Sequence, residues 1–368
     1  MKEQYQQRLD KLMGHLHQQQ VDLAIINSPK NVFYYTGFNS DPHERFMALV
    51  LDLRNGNQYL FVPALDKEAA EKNSTIQNLV PITDEVNPYQ VLRNTVGEGI
   101  RKIGLETKNI SLFQQEQLHS IFSDFSYQNI GEFLSGQRMR KTAKECHKVQ
   151  VAVQVIEKVM AEGIKKVNEG MSEQDLAAEL EFLMRKFGAD GPSFTTIVLS
   201  GEKASLPHGR PDRKKMMKGE FILIDMGVIV DGYCSDITRT FILGEETAKQ
   251  RKIYDIVRES TNAGVHAAKA GVTAGSVDIA ARNVIKVNGY GQYFNNRVGH
   301  GLGMEVHEEP SMHEKNETIL EPGFLFTVEP GIYIPGYGGV RIEEDVYIGE
   351  DGKAKVLTTF PTELIRIG

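Results

Sequence analysis

Between Phe221 and Phe241 the chain reads F-I-L-I-D-M-G-V-I-V-D-G-Y-C-S-D-I-T-R-T-F, and this stretch constrains the fold most tightly. Two apolar runs, Phe221–Val230 and Tyr233–Leu243, meet at Asp231-Gly232. Asp-Gly between apolar runs signals a tight hairpin, because a primed turn needs positive φ. Asp225 interrupts the first run and Asp236 the second. An ionised acid inside a buried strand is costly unless it is paired or metal-bound. A hairpin turning near 231 sets positions 225 and 236 roughly opposite each other. Two converging carboxylates with no lysine nearby suggest a bridged cation. Acids facing solvent on an edge strand fit the same pattern.

Composition narrows the classes that remain. The chain has 368 residues, 40% hydrophobic and 25% charged, an ordinary globular composition with room for two domains. A net charge of −7 argues against a general nucleic-acid binder, which needs a basic surface. Cys146 and Cys234 are the only cysteines, which excludes a disulfide framework and a cysteine-based zinc site. Cys234 reads as a packed strand residue, because Tyr233 and Ser235 offer no activating base. The segment M-K-E-Q-Y-Q-Q-R-L-D has no apolar signal region, and no apolar run is long enough to span a bilayer. A cytoplasmic protein without membrane or nucleic-acid partners is expected.

Along the first half, helical and strand patterns alternate. An amphipathic helix over 4–20 leads to a strand at Val21–Asn27, a break at Ser28-Pro29 and a short helix over Asn31–Gly37. The loop Phe38–Arg45 precedes strands at Phe46–Asp52 and Gln58–Val62. Helices at Leu65–Lys72, Pro88–Glu98 and Leu112–Ile121 alternate with strands at Gln77–Ile82 and Lys102–Leu105. This pattern predicts an α/β domain over 1–125. Residues 126–140, with Gly131, Gly136, Arg138 and Arg140, read as a linker. From 141 to 368, helices at Glu145–Asn168, Ser172–Phe187, Glu246–Ala270 and Ser276–Val287 are interspersed with strands at Phe194–Ser200, the hairpin, Phe324–Val328, Gly331–Ile334, Gly339–Ile348 and Lys355–Thr359. That is an α+β pattern.

Three later segments also carry polar groups inside apolar runs. His300 sits among the glycines of V-G-H-G-L-G-M-E-V-H, which let backbone approach closely. Glu329 ends the run F-T-V-E before Pro330-Gly331. In G-V-R-I-E-E-D, strand alternation places Arg341 and Glu343 on one face. Asp225, Asp236, Glu329 and Glu343 could not all ionise in one core without compensation. Two divalent cations would balance them. An oxygen-rich set with one imidazole suits Mn²⁺ and admits Co²⁺, Fe²⁺ or Zn²⁺, and two such ions can clamp both oxygens of a displacement. Taken singly, each acid fits a solvated or hydrogen-bonded structural role equally well.

The segments D-M-G at 225–227, G-Y-C-S-D-I-T-R-T at 232–240, G-H-G-L-G-M-E-V-H-E at 299–308, T-V-E-P-G-I-Y at 327–333 and V-R-I-E-E-D at 340–345 resemble the pita-bread metallopeptidases. These include prolidase, aminopeptidase P, methionine aminopeptidase and creatinase. The first half more loosely resembles their creatinase-type N-terminal domain. The resemblance implies a creatinase-like domain followed by a pita-bread catalytic domain with a dinuclear centre and a bridging hydroxide. Its ligands would be Asp225, Asp236, His300, Glu329 and Glu343. Asp236 and Glu343 would bridge, Asp225 would serve one metal, and His300 and Glu329 the other. Glu329 would also accept the proton of the bridging water. Ser205-Leu206-Pro207-His208-Gly209 matches the family's Pro-His-Gly loop. His208 and His307 would bind substrate and stabilise the tetrahedral intermediate. Arg341 would meet the substrate's carboxylate end, or pair instead with the acids beside it, with Tyr333 supporting the site.

Proline at the second position of a peptide makes a tertiary amide without an N–H, so cleaving it calls for a dedicated site. Methionine aminopeptidases typically lack so long a preceding domain, and creatinase works without metal. Prolidase and aminopeptidase P remain, and the length is nearer the short bacterial prolidases. The charged loop Asp41-Pro42-His43-Glu44-Arg45 could reach the mouth of a neighbouring subunit's site or be merely solvated. Arg297 is a second candidate for the substrate's charged end. The expectation is therefore a homodimeric Mn²⁺-type Xaa-Pro dipeptidase acting on small peptides with proline second. Aminopeptidase P is the alternative, and a non-catalytic pita-bread binding module a remote one.

Overall fold

The computed structural model describes residues 2–368, and the chain divides into two compact units, Met1–Gln137 and Arg138–Gly368. The first unit is built on a six-stranded mixed sheet with strands, in spatial order, Asn78–Ile82, Asn57–Pro63, Ala48–Asp52, Leu23–Ile26, Lys102–Leu105 and Ser126–Asn129. Its central strands are apolar on both faces because helices cover both. Leu23, Ile25, Val50, Phe61 and Ile103 form its core with Leu92 and Leu118 of the covering helices.

Two expectations for this unit are corrected. Ser28-Pro29 is a helix start: Ser28 is the N-cap of Pro29–Thr36, and proline at the first position has no N–H to leave unsatisfied. Residues 126–140 are not a linker. Ser126–Asn129 adds a parallel edge strand beside Lys102–Leu105, and Gly131–Met139 is a helix, with Ile130 and Leu134 fully buried. Burial of those two apolar side chains outweighs the glycine and charge content that suggested a flexible segment.

The second unit places two helix pairs against antiparallel sheets. Ala143–Gly163 and Glu173–Lys186 pack on a four-stranded sheet ordered Arg366–Ile367, Ile237–Leu243, Phe221–Met226 and Ile197–Ser200. Ala248–Ala267 and Ala274–Val287 pack together and share a core with a five-stranded sheet ordered Glu308–Met312, Gly299–Gly301, Leu325–Val328, Glu344–Ile348 and Ala354–Val356. The hairpin turns at Asp231-Gly232, with φ of 49° and 77°, as a primed turn requires.

Both long strands of this hairpin break, unlike the continuous pair read from the sequence. Val228–Val230 and Tyr233–Cys234 join a small sheet, while Phe221–Met226 and Ile237–Leu243 pair in the larger one. Asp225 stands opposite Thr238, so Asp236 is its diagonal neighbour and not directly opposite. Gly339–Ile348 is likewise not one strand. Gly338–Arg341 pairs with Gly331–Ile334, the chain changes sheets at Ile342-Glu343, and Glu344–Ile348 pairs with Leu325–Val328.

Gly227 makes the first break possible. A Cβ there would lie 2.1 Å from the Ser235 carbonyl and 2.2 Å from Ser193 Oγ. Ser193 closes the joint, its N–H donating to the Gly227 carbonyl (3.0 Å) and its hydroxyl to the Ser235 carbonyl (3.1 Å). Gly227→Ala is expected to cost about 3 kcal/mol or to prevent folding. Gly14→Ala, with nothing within 4 Å of the added Cβ in a helix, should be neutral or stabilise by up to about 1 kcal/mol. Thermal unfolding of both variants checks this, and a wild-type Tm for Gly227→Ala would refute the steric account.

Candidate active site

Five sequence-distant acids and imidazoles are carried to one place by strand ends. Asp225 lies near the end of Phe221–Met226, and Asp236 just precedes Ile237–Leu243. His300 is central in Gly299–Gly301, Glu329 directly follows Leu325–Val328, and Glu343 occupies the joint between Gly338–Arg341 and Glu344–Ile348. The glycines flanking His300 are needed for close packing: a Cβ on Gly299 would fall 1.9 Å from the Thr327 carbonyl, and one on Gly301 2.1 Å from the Glu309 carbonyl.

The five converge. His300 Nε2 lies 3.1 Å from Glu329 Oε1 and 3.7 Å from Asp236 Oδ2. Ligating atoms of Asp236, His300 and Glu343 all lie within 4.8 Å of one another. Threonine hydroxyls brace the acids: Thr238 Oγ1 donates to Glu343 Oε2 (2.8 Å) and Thr327 Oγ1 to Glu329 Oε1 (3.1 Å). Asp225 and Asp236 are 9% and 4% exposed, which sets aside the edge-acid reading. Asp225 Oδ1, Asp236 Oδ1 and Glu343 Oε1 are buried without any hydrogen-bond partner among the described residues. An unpartnered buried carboxylate oxygen is expensive, so these three mark where positive charge or protons belong.

The electrostatics agree. Burial raises the pKa of Asp225, Asp236 and Glu343, and neighbouring carboxylates push all three further up. The Arg341 guanidinium partly offsets this at Asp225. Burial presses on Glu329 as well, but the His300 hydrogen bond and charge, helped by Arg341, hold it below its ordinary value. His307 is pushed down to about 4 by burial and then by His300 and Arg297, so its imidazole is neutral at pH 7.

These groups line a cleft of about 820 Å³. Asp225, Asp236, His300, Glu329, Glu343, His208, His307, Arg341, Tyr333 and Arg297 all border it. His307 meets His300 edge to face at 4.1 Å between ring centres. Arg341, read from the family resemblance as the partner of the substrate carboxylate, is committed to the protein. Its Nε donates to Thr238 Oγ1 (2.9 Å), Nη1 to the Tyr333 hydroxyl (2.9 Å) and Nη2 to Asp225 Oδ2. Arg297 donates to Ser311 Oγ (2.9 Å) and has no carboxylate partner among the described residues. Asp41 and His43 belong to the first unit, on an exposed loop where Asp41 Oδ1 accepts the His43 N–H (3.0 Å), and are not among the lining residues.

Sequence reasoning passed over Thr238, Thr327 and the cleft residues Phe194, Ile197, Leu206, Asn295 and Asn296. The threonines carried a usable signal: Thr238 lies two residues after Asp236 and Thr327 two before Glu329, spacings that share a strand face. The asparagines are in a loop with no such periodicity.

Residues 147–350 match the metallopeptidase family M24, and residues 8–140 match the creatinase/prolidase N-terminal domain. The chain belongs to metallopeptidase family M24, with a creatinase-type N-terminal domain. Among solved structures it is similar to a prolidase from Thermococcus sibiricus, at 35% identity over 99% of each chain with a TM-score of 0.92. It is similar to an Xaa-Pro dipeptidase from Bacillus anthracis, at 32% identity over 99% of this chain and 100% of the other, TM-score 0.91. An X-Pro aminopeptidase from Thermotoga maritima is also similar, at 33% identity over 95% of this chain and 98% of the other, TM-score 0.86.

A buried ion cluster holds the loop that carries His307. Glu308 Oε1 accepts the Met304 and Glu305 N–H groups (2.9 and 3.1 Å), and its carboxylate pairs with Arg138 and with Lys141 Nζ (3.0 Å). Burial works against the charged form, but Lys141 and Arg138 outweigh it and bring the Glu308 pKa down to about 2. A depressed carboxylate stabilises the fold above its unfolded pKa of about 4.3, and that contribution is lost as pH falls through the folded value. The stability difference between wild type and Glu308→Gln should be constant above pH 5 and shrink by about 3 kcal/mol between pH 4.5 and 2. Urea unfolding across that range measures it, and a difference independent of pH would contradict the assignment.

Proposed function

We propose that this protein hydrolyses the Xaa-Pro bond of dipeptides with the help of two divalent metal ions, Mn²⁺ foremost and Co²⁺, Zn²⁺ or Fe²⁺ as alternatives. The observation that carries the reading is the set of four carboxylates and His300 around one cleft, with three carboxylate oxygens buried and without a hydrogen-bond partner among the described residues. The donor set fits such ions: hard oxygens with one borderline nitrogen. Asp225, Asp236, His300, Glu329 and Glu343 would hold them. When bound, the ions would supply Lewis acidity for the scissile carbonyl and an activated water.

The chain's own groups do the rest. Glu329, anionic and oriented by Thr327 and His300, takes the proton of the attacking water and returns it to the proline nitrogen. His307, neutral at pH 7, and His208, both exposed, offer N–H donors to the oxygen that gains charge at the carbonyl. Arg341 holds Asp225 in place and leaves the terminal carboxylate of the substrate to Arg297. A cation without a carboxylate partner at the cleft wall suits an anionic chain end. The Asp41–Arg45 loop, exposed in the first unit, would complete the mouth of a neighbouring subunit in a homodimer.

The Thermotoga maritima X-Pro aminopeptidase supports a second reading, release of the first residue from longer X-Pro peptides. Hydrolysis of Leu-Pro and Leu-Pro-Pro, with Mn²⁺ and after chelation, separates the two. Leu-Pro should be cut at least about tenfold faster in kcat/KM, and chelation should remove activity. Preference for the tripeptide would move the protein to the aminopeptidases, and activity indifferent to chelation would exclude the metal-dependent reading.

Asp236→Ala removes one of the residues that would hold the ions. It should bind fewer than two metal ions per chain and lose kcat by more than about a thousandfold. Metal analysis with steady-state kinetics tests this, and a variant with two ions and near-normal turnover would overturn the ligand assignment.

A further inference from the structure

His208 sits at the exposed tip of the loop that follows strand Ile197–Ser200, and the tip makes few bonds of its own. Gly209 N donates to the Leu206 carbonyl (2.9 Å), and among the described residues the imidazole has no hydrogen-bond partner. The neck of the loop is different. Glu173, fully buried at the start of helix Glu173–Lys186, touches both of its stems. On the incoming stem its Oε1 accepts the Ser200 N–H (2.8 Å) and hydroxyl (2.9 Å). On the outgoing stem its Oε2 accepts the Asp212 N–H (3.3 Å). Lys203, inside the loop, pairs with the same carboxylate and with Asp212 Oδ2 (2.8 Å), and donates to the Arg210 carbonyl (3.2 Å). The backbone repeats the attachment, since Gln174 N donates to the Asp212 carbonyl (3.0 Å).

A buried carboxylate is stable only when fully satisfied, and among the described residues every partner of the Glu173 carboxylate belongs to the loop or its stems. An apolar side chain would pack that space without joining the two ends. We propose that Glu173, with Lys203, is the positioning residue for His208. It closes the neck of the loop and thereby sets where the imidazole meets the substrate carbonyl at the cleft rim. The inference rests on the peptidase reading for the role of His208, but the closure of the neck is independent of it. Misplacing a catalytic group by about 1 Å can cost about a hundredfold in rate, so a loosened neck has a measurable consequence even with the metal ligands intact.

The test uses the full-length, metal-loaded protein and the variants Glu173→Gln, His208→Ala and the two combined. Hydrogen exchange should speed about tenfold or more in residues 200–212 of Glu173→Gln and stay unchanged in the strands that bear the metal-site acids. With metal content unaltered, kcat/KM for Leu-Pro should fall about tenfold or more, and the double variant should lie within about twofold of His208→Ala alone, because residues acting through one group are not additive. Unchanged exchange at the neck, or losses that multiply in the double variant, would overturn the proposal. If Glu173→Gln does not fold, Lys203→Met, which opens the same pairing from a partly exposed side chain, takes its place with the same readouts. If even the wild type leaves Leu-Pro intact, the functional reading falls, and exchange alone decides whether Glu173 closes the neck.

Discussion

Concentrated negative charge in a dry place is the constraint on which the second unit depends. Asp225, Asp236, Glu329 and Glu343 meet in one cleft, and Arg341 is the one guanidinium directly paired within it. At neutral pH four carboxylates against one guanidinium would leave a formal −3. Burial and the neighbouring carboxylates raise the pKa of three of these acids and so disfavour their charged forms. The fold nevertheless brings them together, with strands that hold them rigidly and hydroxyls that satisfy one oxygen of each of two acids. Such an arrangement is unfavourable for an empty core and favourable for one that receives cations.

The irregularities of the sheets follow from that demand. A regular strand sends alternate side chains to one face, which cannot aim acids from several strands at a single point. The hairpin breaks at Gly227, and the chain changes sheets at Ile342-Glu343, where Glu343 N donates to the Thr238 carbonyl (3.2 Å). Asp236 and Glu343 sit in or beside those breaks. Bulges and strand switches near functional sites commonly re-aim a side chain in this way.

The legible part of the molecule was the part governed by local rules. The helix start at Ser172, the Asp-Gly turn and the strands Lys102–Leu105 and Gly331–Ile334 follow from turn chemistry and periodicity. Interrupted apolar runs exposed the acids that the structure brings together. Register was less legible, since a diagonal offset of Asp225 and Asp236 depends on a steric break at Gly227 that only the Ser193 contact reveals. The segment 126–140 misled because its glycines and charges conceal Ile130 and Leu134, whose burial is decided by partners far away in sequence. Arg341 is the ambiguous case: its type suits a substrate carboxylate or a neighbouring acid, and the fold turns three of its N–H groups to Asp225, Tyr333 and Thr238.

Two structural devices divide the work around the cleft. The acids and His300 stand on or beside strands, where neighbouring backbone limits their motion. His208 and His307 stand on loops and are exposed. Each loop is tied by a buried glutamate that accepts backbone N–H groups and pairs with a lysine: Glu173 with Lys203 for the first, Glu308 with Lys141 and Arg138 for the second. A carboxylate joining several donors fixes a loop in position as well as in space, since each bond is directional. Exchanging a buried ion pair for well-packed apolar residues is often neutral for stability, so their presence under both histidine loops is better explained by the placement they enforce than by a need for stability.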